Sequence, residues 1–205
     1  MVAVTPPARR RRGSELERAV FDATLRELAD VGLAALTMDR IAALAHTGKA
    51  ALYRRWTDKS DLVLDALRSA LPSPAEIEPT GDLRGELLAL LVCVQQASTV
   101  AHSNAFRAAA LAGNRDCRQL LEDRVLRPCR EGIKDALSRA AERDEVSGSL
   151  ASDPLVAAVG PAMLVDRVLT GDGRLADEFV VDVVDRLLLP LVTAGKVPTS
   201  RSRRS

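Results

Sequence analysis

Basic and aromatic side chains cluster in residues 37–59, TMDRIAALAHTGKAALYRRWTDK, and their spacing suits contact with DNA. At helical spacing Leu52 and Trp56 lie on one face, which leaves Tyr53 and the two arginines after it mostly outside. Arginine and tyrosine side chains of this kind bind phosphate oxygens, and arginine also binds base edges. The stretch therefore predicts a nucleic-acid-binding surface, although a simply solvated basic face would have the same pattern.

Two short helices with a tight turn would hold these side chains. Thr37 offers a hydroxyl N-cap, and Met38 and Ile41 follow at helical spacing, so that a first helix can bury one side. The turn falls at residues 45–48, where His46 tolerates a positive φ better than a branched residue would. The pattern predicts a helix-turn-helix.

Flanking signals add two more helices. Ser14, followed three residues later by Glu17, forms a capping box for a leading helix that stops at Gly32. A fourth helix starts at Lys59 and ends before Pro72. Together these elements predict a three-helix DNA-binding domain over residues 14–58, followed by an exit helix.

Residues 14–68 resemble the DNA-binding domains of the TetR-type transcriptional regulators. The resemblance rests on Gly32, Leu36, Thr37, Ile41, Ala42, Ala45, Lys49, Leu52, Tyr53, Trp56, Lys59 and Leu62. It implies that Tyr53 and Lys59 contact phosphates and that Thr37 holds the DNA backbone. It also places five residues at or near the major groove, namely Lys49, Ala50, Ala51, Arg54 and Arg55.

Three residues depart from the family pattern. His46 stands in the turn where glycine is common, and Gly48 replaces the commoner Ser or Thr cap of the second helix. Glu27 stands where the family often has an apolar residue, and we expect it to be an exposed helix residue paired with Arg26. These departures concern the operator sequence and the stability of the domain rather than the class of protein.

Length and charge indicate a DNA-binding domain joined to a larger body. A chain of 205 residues can bury a second core. Residues 1–60 carry eleven Lys or Arg and seven Asp or Glu, whereas residues 61–196 carry fifteen and twenty-one. This contrast is typical of a DNA-binding head on a regulatory domain. The run Arg9–Arg12 predicts a disordered basic arm over residues 1–13, which either tracks phosphates or only aids solubility.

The remaining segments predict an all-α body. Helical periodicity recurs through residues 59–195, and residues 196–205 form a basic tail. Pro128 lies inside a long amphipathic segment, where it predicts a kink. The last helix carries apolar residues, such as Val184 and Leu188, on nearly every face. The last two helices are therefore expected to pair with a second copy, unless they lie deep in the body of their own chain.

The resemblance also implies a mechanism. A homodimer would bind a near-palindromic double-stranded operator, and a small-molecule effector bound in the helical body would change the spacing of the two DNA-binding domains. The candidate effector-binding residues are Gln96, Phe106, Leu121, Val125 and Met163. We expect a ligand-responsive repressor with no cofactor and no metal.

Two alternatives stay open at this point. A redox sensor of the same fold would use Cys93, Cys117 and Cys129, which form no C-x-x-C pair. An all-helical enzyme is disfavoured because no closely spaced metal-ligand set and no Ser-centred elbow occurs. No signal peptide and no long uncharged apolar run is evident, so we expect a cytoplasmic protein.

Overall fold

The computed structural model describes residues 13–111, 116–171 and 174–194, and all regular elements within these ranges are helical. The predicted all-α class is confirmed. The basic arm and the basic tail lie outside the described residues. The helices are α1 (Ser14–Ala35), α2 (Met38–Leu44), α3 (Lys49–Tyr53), α4 (Lys59–Ala70), α5 (Leu83–Ala101), α6 (Asn104–Leu111), α7 (Asp116–Leu121), α8 (Arg127–Glu142), α9 (Gly148–Ala151), α10 (Pro154–Thr170), α11 (Asp177–Asp182) and α12 (Leu189–Thr193).

The first compact unit contains α1, α2, α3, nearly all of α4, and α6. Sequence analysis places the end of the DNA-binding domain at Asp58, whereas this unit extends through Ser69 and takes in α6, which packs along α1. Its core consists of buried aliphatic residues that each helix contributes at helical spacing: Val20, Ala23, Leu28, Leu36, Ile41, Leu52, Leu62, Leu67 and Ala109. We call it the DNA-binding unit.

The two ends of α1 differ in how well the sequence predicted them. The capping box is wrong, because Ser14 is the first helical residue and Gly13, with φ of 64°, takes the N-cap position without a side-chain cap. The hydroxyl of Ser14 is thus inside the helix, and the carboxylate of Glu17 is free to reach elsewhere. The stop at Gly32 is confirmed, since the range Ser14–Ala35 joins two helical pieces across a break at Gly32, whose φ of 74° and ψ of 168° are non-helical and open mainly to glycine.

The second compact unit contains α5 and α7 to α12, with α5 packed on α8, α10 and α11. Carboxylates cap two helices of this unit: the Asp82 carboxylate accepts from the Gly85 N–H at 2.9 Å, and the Asp153 carboxylate accepts from the Leu155 N–H at 2.8 Å. The core is aliphatic, with Leu87, Leu91, Ile133, Leu137, Leu164 and Leu188 almost fully buried. Within the described ranges, no helix has both the length and the apolar character needed to cross a bilayer.

Two prolines widen the helices of this unit. Pro128 follows a π-helical turn at Glu122–Leu126 that joins α7 to α8, and Pro190 follows a second one at Val183–Leu188 that joins α11 to α12. A proline ring clashes with the carbonyl four residues before it and offers no N–H, and a wider turn relieves both problems. Where sequence analysis predicts a kink at Pro128, the structure has a π-turn directly before the proline.

The apolar residues of the last helices divide into core and surface. Val184 and Leu188, which sequence analysis assigns to a dimer contact, are 0% and 1% exposed and belong to the core of their own chain. That assignment is wrong for these two residues, because they lie in the π-turn Val183–Leu188, which packs against α5 and α10 of the same chain. Large apolar side chains remain exposed at Leu155, Met163, Leu169, Val181 and Leu191.

Candidate nucleic-acid interface

Local signals shape the turn between α2 and α3. The Thr37 hydroxyl accepts a hydrogen bond from the Arg40 N–H at 3.3 Å, so the predicted N-cap of α2 is confirmed. His46 adopts φ of 53°, and Gly48 takes the N-cap position of α3 with φ of −83°. The cap position therefore does not require the backbone freedom of glycine. His46 is the residue of the turn with a left-handed backbone conformation.

A tryptophan fixes the far end of α3. Trp56 is 5% exposed, and its ring meets Phe21 of α1 edge to face with 5.8 Å between the centroids. Its indole N–H donates to the Asp65 carboxylate of α4 at 2.9 Å. Because Leu52 is also buried, α3 is held by its apolar side on both α1 and α4. The opposite side of α3 is thus presented rigidly.

The side of α3 away from this core carries the residues predicted to meet the major groove. Lys49, Ala50, Tyr53, Arg54 and Arg55 are exposed, and the neighbouring Ala51 is half-buried. Small side chains at the first two positions after Lys49 let the helix approach a groove closely, and the longer ones after them can reach phosphates or base edges. The structure brings Lys49 and Tyr53 together, with 5.8 Å between the ammonium and the centroid of the ring, and Thr37 is exposed at the start of α2.

Lys49 is held by a carboxylate in the absence of DNA. Its ammonium lies 2.8 Å from Asp39 Oδ1 and 5.8 Å from the centroid of the Tyr53 ring. The hydrogen bond to Asp39, and then the charge of that carboxylate, hold the pKa of Lys49 above its ordinary value. Lys49 therefore stays charged, and it must exchange Asp39 for an acceptor on DNA if it is to contact a base.

Arg55 is also partnered within the chain. Its guanidinium lies 3.0 Å from Glu17 of α1 and 5.1 Å from the centroid of the Trp56 ring. Glu17, which was predicted to form a capping box, ties α1 to the end of α3 instead. Arg54 differs from Arg55, because within the described residues no hydrogen bond or ion pair holds its side chain. Lys49, Arg54 and Arg55 are the basic residues predicted for the groove. In the part of the chain that the structure describes, Arg54 is the one of the three whose side chain has no hydrogen-bond or ion-pair partner.

Lys59 has a structural task that the family resemblance does not imply. Its ammonium donates to three carbonyl oxygens at the junction of α1 and α2: Leu33 at 2.8 Å, Ala34 at 3.1 Å and Leu36 at 3.1 Å. An ammonium has three N–H donors, so these acceptors use all of them. The cation also sits at the carboxyl end of α1, where the helix dipole favours positive charge.

A buried carboxylate lies beneath α2. Glu27 is 3% exposed, and its Oε1 atom lies 2.5 Å from Nε of Arg40. The expectation of an exposed Glu27 paired with Arg26 is therefore wrong, because α2 packs over this side of α1 and brings Arg40 to it. Arg26 instead directs its Nε–H to the Asp22 carbonyl. The sequence signal was present, since Glu27 falls in the apolar set of α1 that includes Ala23 and Leu28.

The predicted effector-binding residues are not gathered at one place within the second unit. Leu121 is half-buried and Val125 fully buried, whereas Gln96 and Met163 are exposed. Phe106 is buried within the DNA-binding unit, because it belongs to α6. The second unit does contain a cavity of about 270 Å³, and none of these five residues lines it.

This cavity lies where the connector after α4 meets α5 and α8, and sequence analysis did not predict it. Pro74, Ile77 and Leu90 form apolar walls. Glu86 and Arg139 form an ion pair with 2.6 Å between Oε2 and an Nη atom, and the Gly81 N–H donates to Glu86 Oε1 at 2.7 Å. The ion pair joins α5 to α8, and the bond from Gly81 fastens the end of the connector to α5.

All three cysteines are buried thiols. Burial raises the pKa of Cys93 to about 11 and that of Cys129 to about 12, and it also raises the pKa of Cys117. Thiolates are the forms that react with oxidants, so these thiols are poorly suited to redox sensing. The geometry favours the interpretation of the cysteines as core residues.

Comparison with known proteins agrees with the geometry along most of the chain. Residues 20–66 match the model of bacterial regulatory proteins of the tetR family, and residues 77–187 match the tetracyclin repressor-like C-terminal domain. An uncharacterised HTH-type transcriptional regulator of Mycobacterium tuberculosis is 31% identical over 184 residues, which are 88% of this chain and 89% of the relative. The DNA-binding transcriptional repressor TetR of Mycobacteroides abscessus is 32% identical over 189 residues, covering 90% and 97%.

Two crystal structures share the fold. One is of a Rhodococcus protein assigned to the TetR family of transcriptional regulators; its TM-score is 0.57 at 24% identity, and the match covers 88% of this chain and 100% of that one. The other is of NalD, the secondary repressor of the MexAB-OprM multidrug efflux pump in Pseudomonas aeruginosa. Its TM-score is 0.54 at 16% identity, and the match covers 90% and 100%.

Proposed function

This chain belongs to the TetR family of bacterial regulatory proteins and is a DNA-binding transcriptional regulator, and we propose that it acts as a ligand-responsive repressor on a near-palindromic operator. The observation that carries the proposal is the exposed side of α3, held in place by Leu52 and Trp56. A relative of similar length that is named a repressor supports the sign of regulation.

We assign the contacts on DNA by the freedom of each side chain. Tyr53, which is 49% exposed, donates its hydroxyl to a phosphate, and Thr37 lies against the DNA backbone at the start of α2. Arg54 binds a base edge in the major groove, because its planar fork matches the two acceptors of guanine. Ala50 and Ala51 pack against base edges, and Lys49 and Arg55 join them after exchanging their carboxylate partners.

The homodimer would use the exposed apolar side chains of α10 and of the last helix. Leu155, Met163 and Leu169 are 73%, 39% and 78% exposed and recur along one side of α10. A two-fold dimer through this surface presents two α3 helices to half-sites about one helical turn, or a multiple of it, apart. This geometry predicts a near-palindromic operator.

The effector site stays a proposal about the second unit. Leu121 and Val125 lie at and just after the end of α7, close to the π-turn before Pro128, where the helix is already irregular. Gln96 and Met163 would offer a polar and an apolar contact from α5 and α10, whereas Phe106, which belongs to the DNA-binding unit, takes no part in this proposal. Titration of the DNA complex with a small-molecule library, read by loss of binding, tests whether an effector releases the operator.

Selection of bound duplexes from a random library, followed by footprinting at physiological salt, tests the proposed function. We expect a short protected near-palindrome. Tyr53→Ala should weaken binding equally on selected and random duplexes, as a lost phosphate contact does. Arg54→Ala should instead relax the choice of particular base pairs by about 1–3 kcal/mol per pair. Arg118→Ala, which removes an exposed arginine of α7, serves as the control. Binding by the wild type without any sequence preference would refute the proposal.

Charge on α10 tests the dimer. Leu155→Glu and Leu169→Glu should give monomers by light scattering with helical content retained, because both side chains already face solvent in the single chain. Operator affinity should fall with them. Leu111→Glu, at an 84% exposed position of α6, is the matched control and should stay dimeric. If both α10 variants remain dimers, the interface lies elsewhere.

A further inference from the structure

We infer that Arg40 contacts a phosphate of the bound operator and that the buried carboxylate of Glu27 is the positioning residue that aims it. The inference rests on the proposed function, because it adds a contact to the same DNA complex. Neither residue belongs to the set that the family resemblance implies. The structure brings them together from α1 and α2 with 2.5 Å between Nε and Oε1.

Arg40 lies at the start of α2, the helix before α3. Its backbone N–H donates to the Thr37 hydroxyl, so Arg40 lies in the first turn of α2. The residue before it, Asp39, reaches across to Lys49 at the start of α3. The first turn of α2 therefore borders the side of α3 that faces the groove. In helix-turn-helix complexes the helix before the recognition helix crosses the DNA backbone.

The Arg40 guanidinium has two edges that can bind different acceptors. Glu27 engages the Nε edge, while 64% of the Arg40 side chain is exposed. Within the described residues no other hydrogen bond or ion pair holds Arg40, so the Nη groups are available to an outside acceptor. A guanidinium carries five N–H donors in a rigid fork, and it can bridge a carboxylate on one edge and a phosphate on the other.

Glu27 holds Arg40 through its negative charge. Its side chain is 4% exposed, and its Oε1 accepts no hydrogen bond of sound geometry although Arg40 Nε is close. The attraction of opposite charges, strong at a buried carboxylate, is therefore what holds the arginine. A long side chain on the surface loses conformational freedom when it binds DNA. An arginine already held by Glu27 loses less of it, so its phosphate contact is pre-organised.

The variants must separate orientation from folding. Arg40→Ala alone would leave a buried carboxylate uncompensated and could unfold the DNA-binding unit. The double variant Glu27→Leu with Arg40→Ala removes both charges and leaves the net charge unchanged. Glu27→Leu alone leaves Arg40 without the carboxylate that holds it, and Glu27→Asp keeps the negative charge on a side chain one methylene shorter. Arg26→Ala, an exposed arginine of α1 next to Glu27, is the matched control.

The probe is the duplex selected by the wild-type protein, with one methylphosphonate, which is uncharged, substituted at each phosphate in turn. Wild-type binding should weaken at each contacted phosphate. In the double variant one of these effects per half-site should vanish, while the others persist. Glu27→Leu should reduce the same effect, Glu27→Asp, which keeps the charge, should largely restore it, and Arg26→Ala should leave the pattern unchanged. Thermal unfolding of each variant, followed by circular dichroism, verifies that binding is measured on folded protein.

Two results would overturn the inference. If the double variant, while folded, gives the same methylphosphonate pattern as the wild type, Arg40 contacts no phosphate. If Glu27→Leu alone gives the wild-type pattern and affinity, Glu27 does not position Arg40. Failure of the proposed function is seen earlier and separately, since the wild type itself would then show no preference for the selected duplex over random DNA.

Discussion

Replacement of Lys59 by methionine separates two roles for this lysine, namely a contact with phosphate and a clamp on the junction of α1 and α2. Methionine keeps the apolar stem and removes the ammonium. The change deletes three N–H···O bonds to Leu33, Ala34 and Leu36, of 2.8, 3.1 and 3.1 Å. It also removes the positive charge at the carboxyl end of α1.

The structure sets the size of the expected effect. Each bond contributes about 1 kcal/mol net, because the lysine is only half-buried and water can replace part of what is lost. The three bonds together give a loss of about 3 kcal/mol in the free energy of unfolding. For a chain of this length that loss corresponds to a fall in Tm of about 6–12 °C.

Two measurements on the same variant decide between the roles. Thermal unfolding followed by circular dichroism gives Tm, and titration of the selected duplex at several salt concentrations gives the salt slope. If Lys59 acts as a clamp, Lys59→Met should lower Tm and weaken operator binding. The salt slope should stay the same, because the number of phosphate contacts does not change. Lys134→Met, at an exposed lysine of α8, is the control and should change neither quantity.

The opposite pattern would refute this reasoning. A slope whose magnitude falls by about 0.9 per protomer, with Tm unchanged, would mean that Lys59 leaves its three carbonyls and neutralises a phosphate. The role implied by the family resemblance would then be correct for this chain. A fall in Tm with an intact slope would leave Tyr53 as the phosphate contact near the end of α3.

Three further predictions concern other parts of the chain. Gly32→Ala should cost about 1–3 kcal/mol in urea unfolding, because φ of 74° with ψ of 168° strains any side chain, whereas Gly148→Ala, at a glycine without positive φ, should be nearly neutral. Burial acts to raise the pKa of Glu86, but hydrogen bonds from Arg139 and two backbone N–H groups lower it below the ordinary 4.5. Its stabilisation is therefore complete above pH 4.5 and lost as the pH falls below that value, and Glu86→Gln should remove this part of the pH dependence of urea unfolding. Peroxide should leave Cys93 and Cys129 unmodified and DNA binding intact until urea unfolds the chain; rapid loss of binding in native protein, prevented by Cys117→Ser, would instead support a redox sensor.

Contacts between neighbours in the chain were predictable wherever the chemistry is local. The caps at Thr37, Asp82 and Asp153 and the helix stop at Gly32 depend on a side chain and a backbone group a few residues apart. Ser14 shows the limit of such signals. A capping box and a glycine cap one residue earlier compete for the same helix start, and the sequence pattern does not rank them.

The side chains of the DNA-binding surface show where local signals end. Sequence spacing placed Tyr53 and Arg54 on the exposed side of α3, because a period of 3.6 residues is a property of the helix itself. It did not reveal that Arg55 is held by Glu17, since that pairing depends on how α1 crosses α3.

By itself, the sequence determined the helical class, the helix-turn-helix and the family, because periodicity, caps and turn residues act within a few positions of the chain. Only the tertiary structure decided which charged and apolar residues are free to act. Lys59 donates a hydrogen bond to the carbonyl of Leu33, 26 positions away, and Arg40 forms an ion pair with the buried Glu27. Val184 and Leu188 are buried in the core of their own chain. Burial and pairing depend on which helix faces cover each other, and a helix that is apolar on several sides does not specify which of them meets its own core.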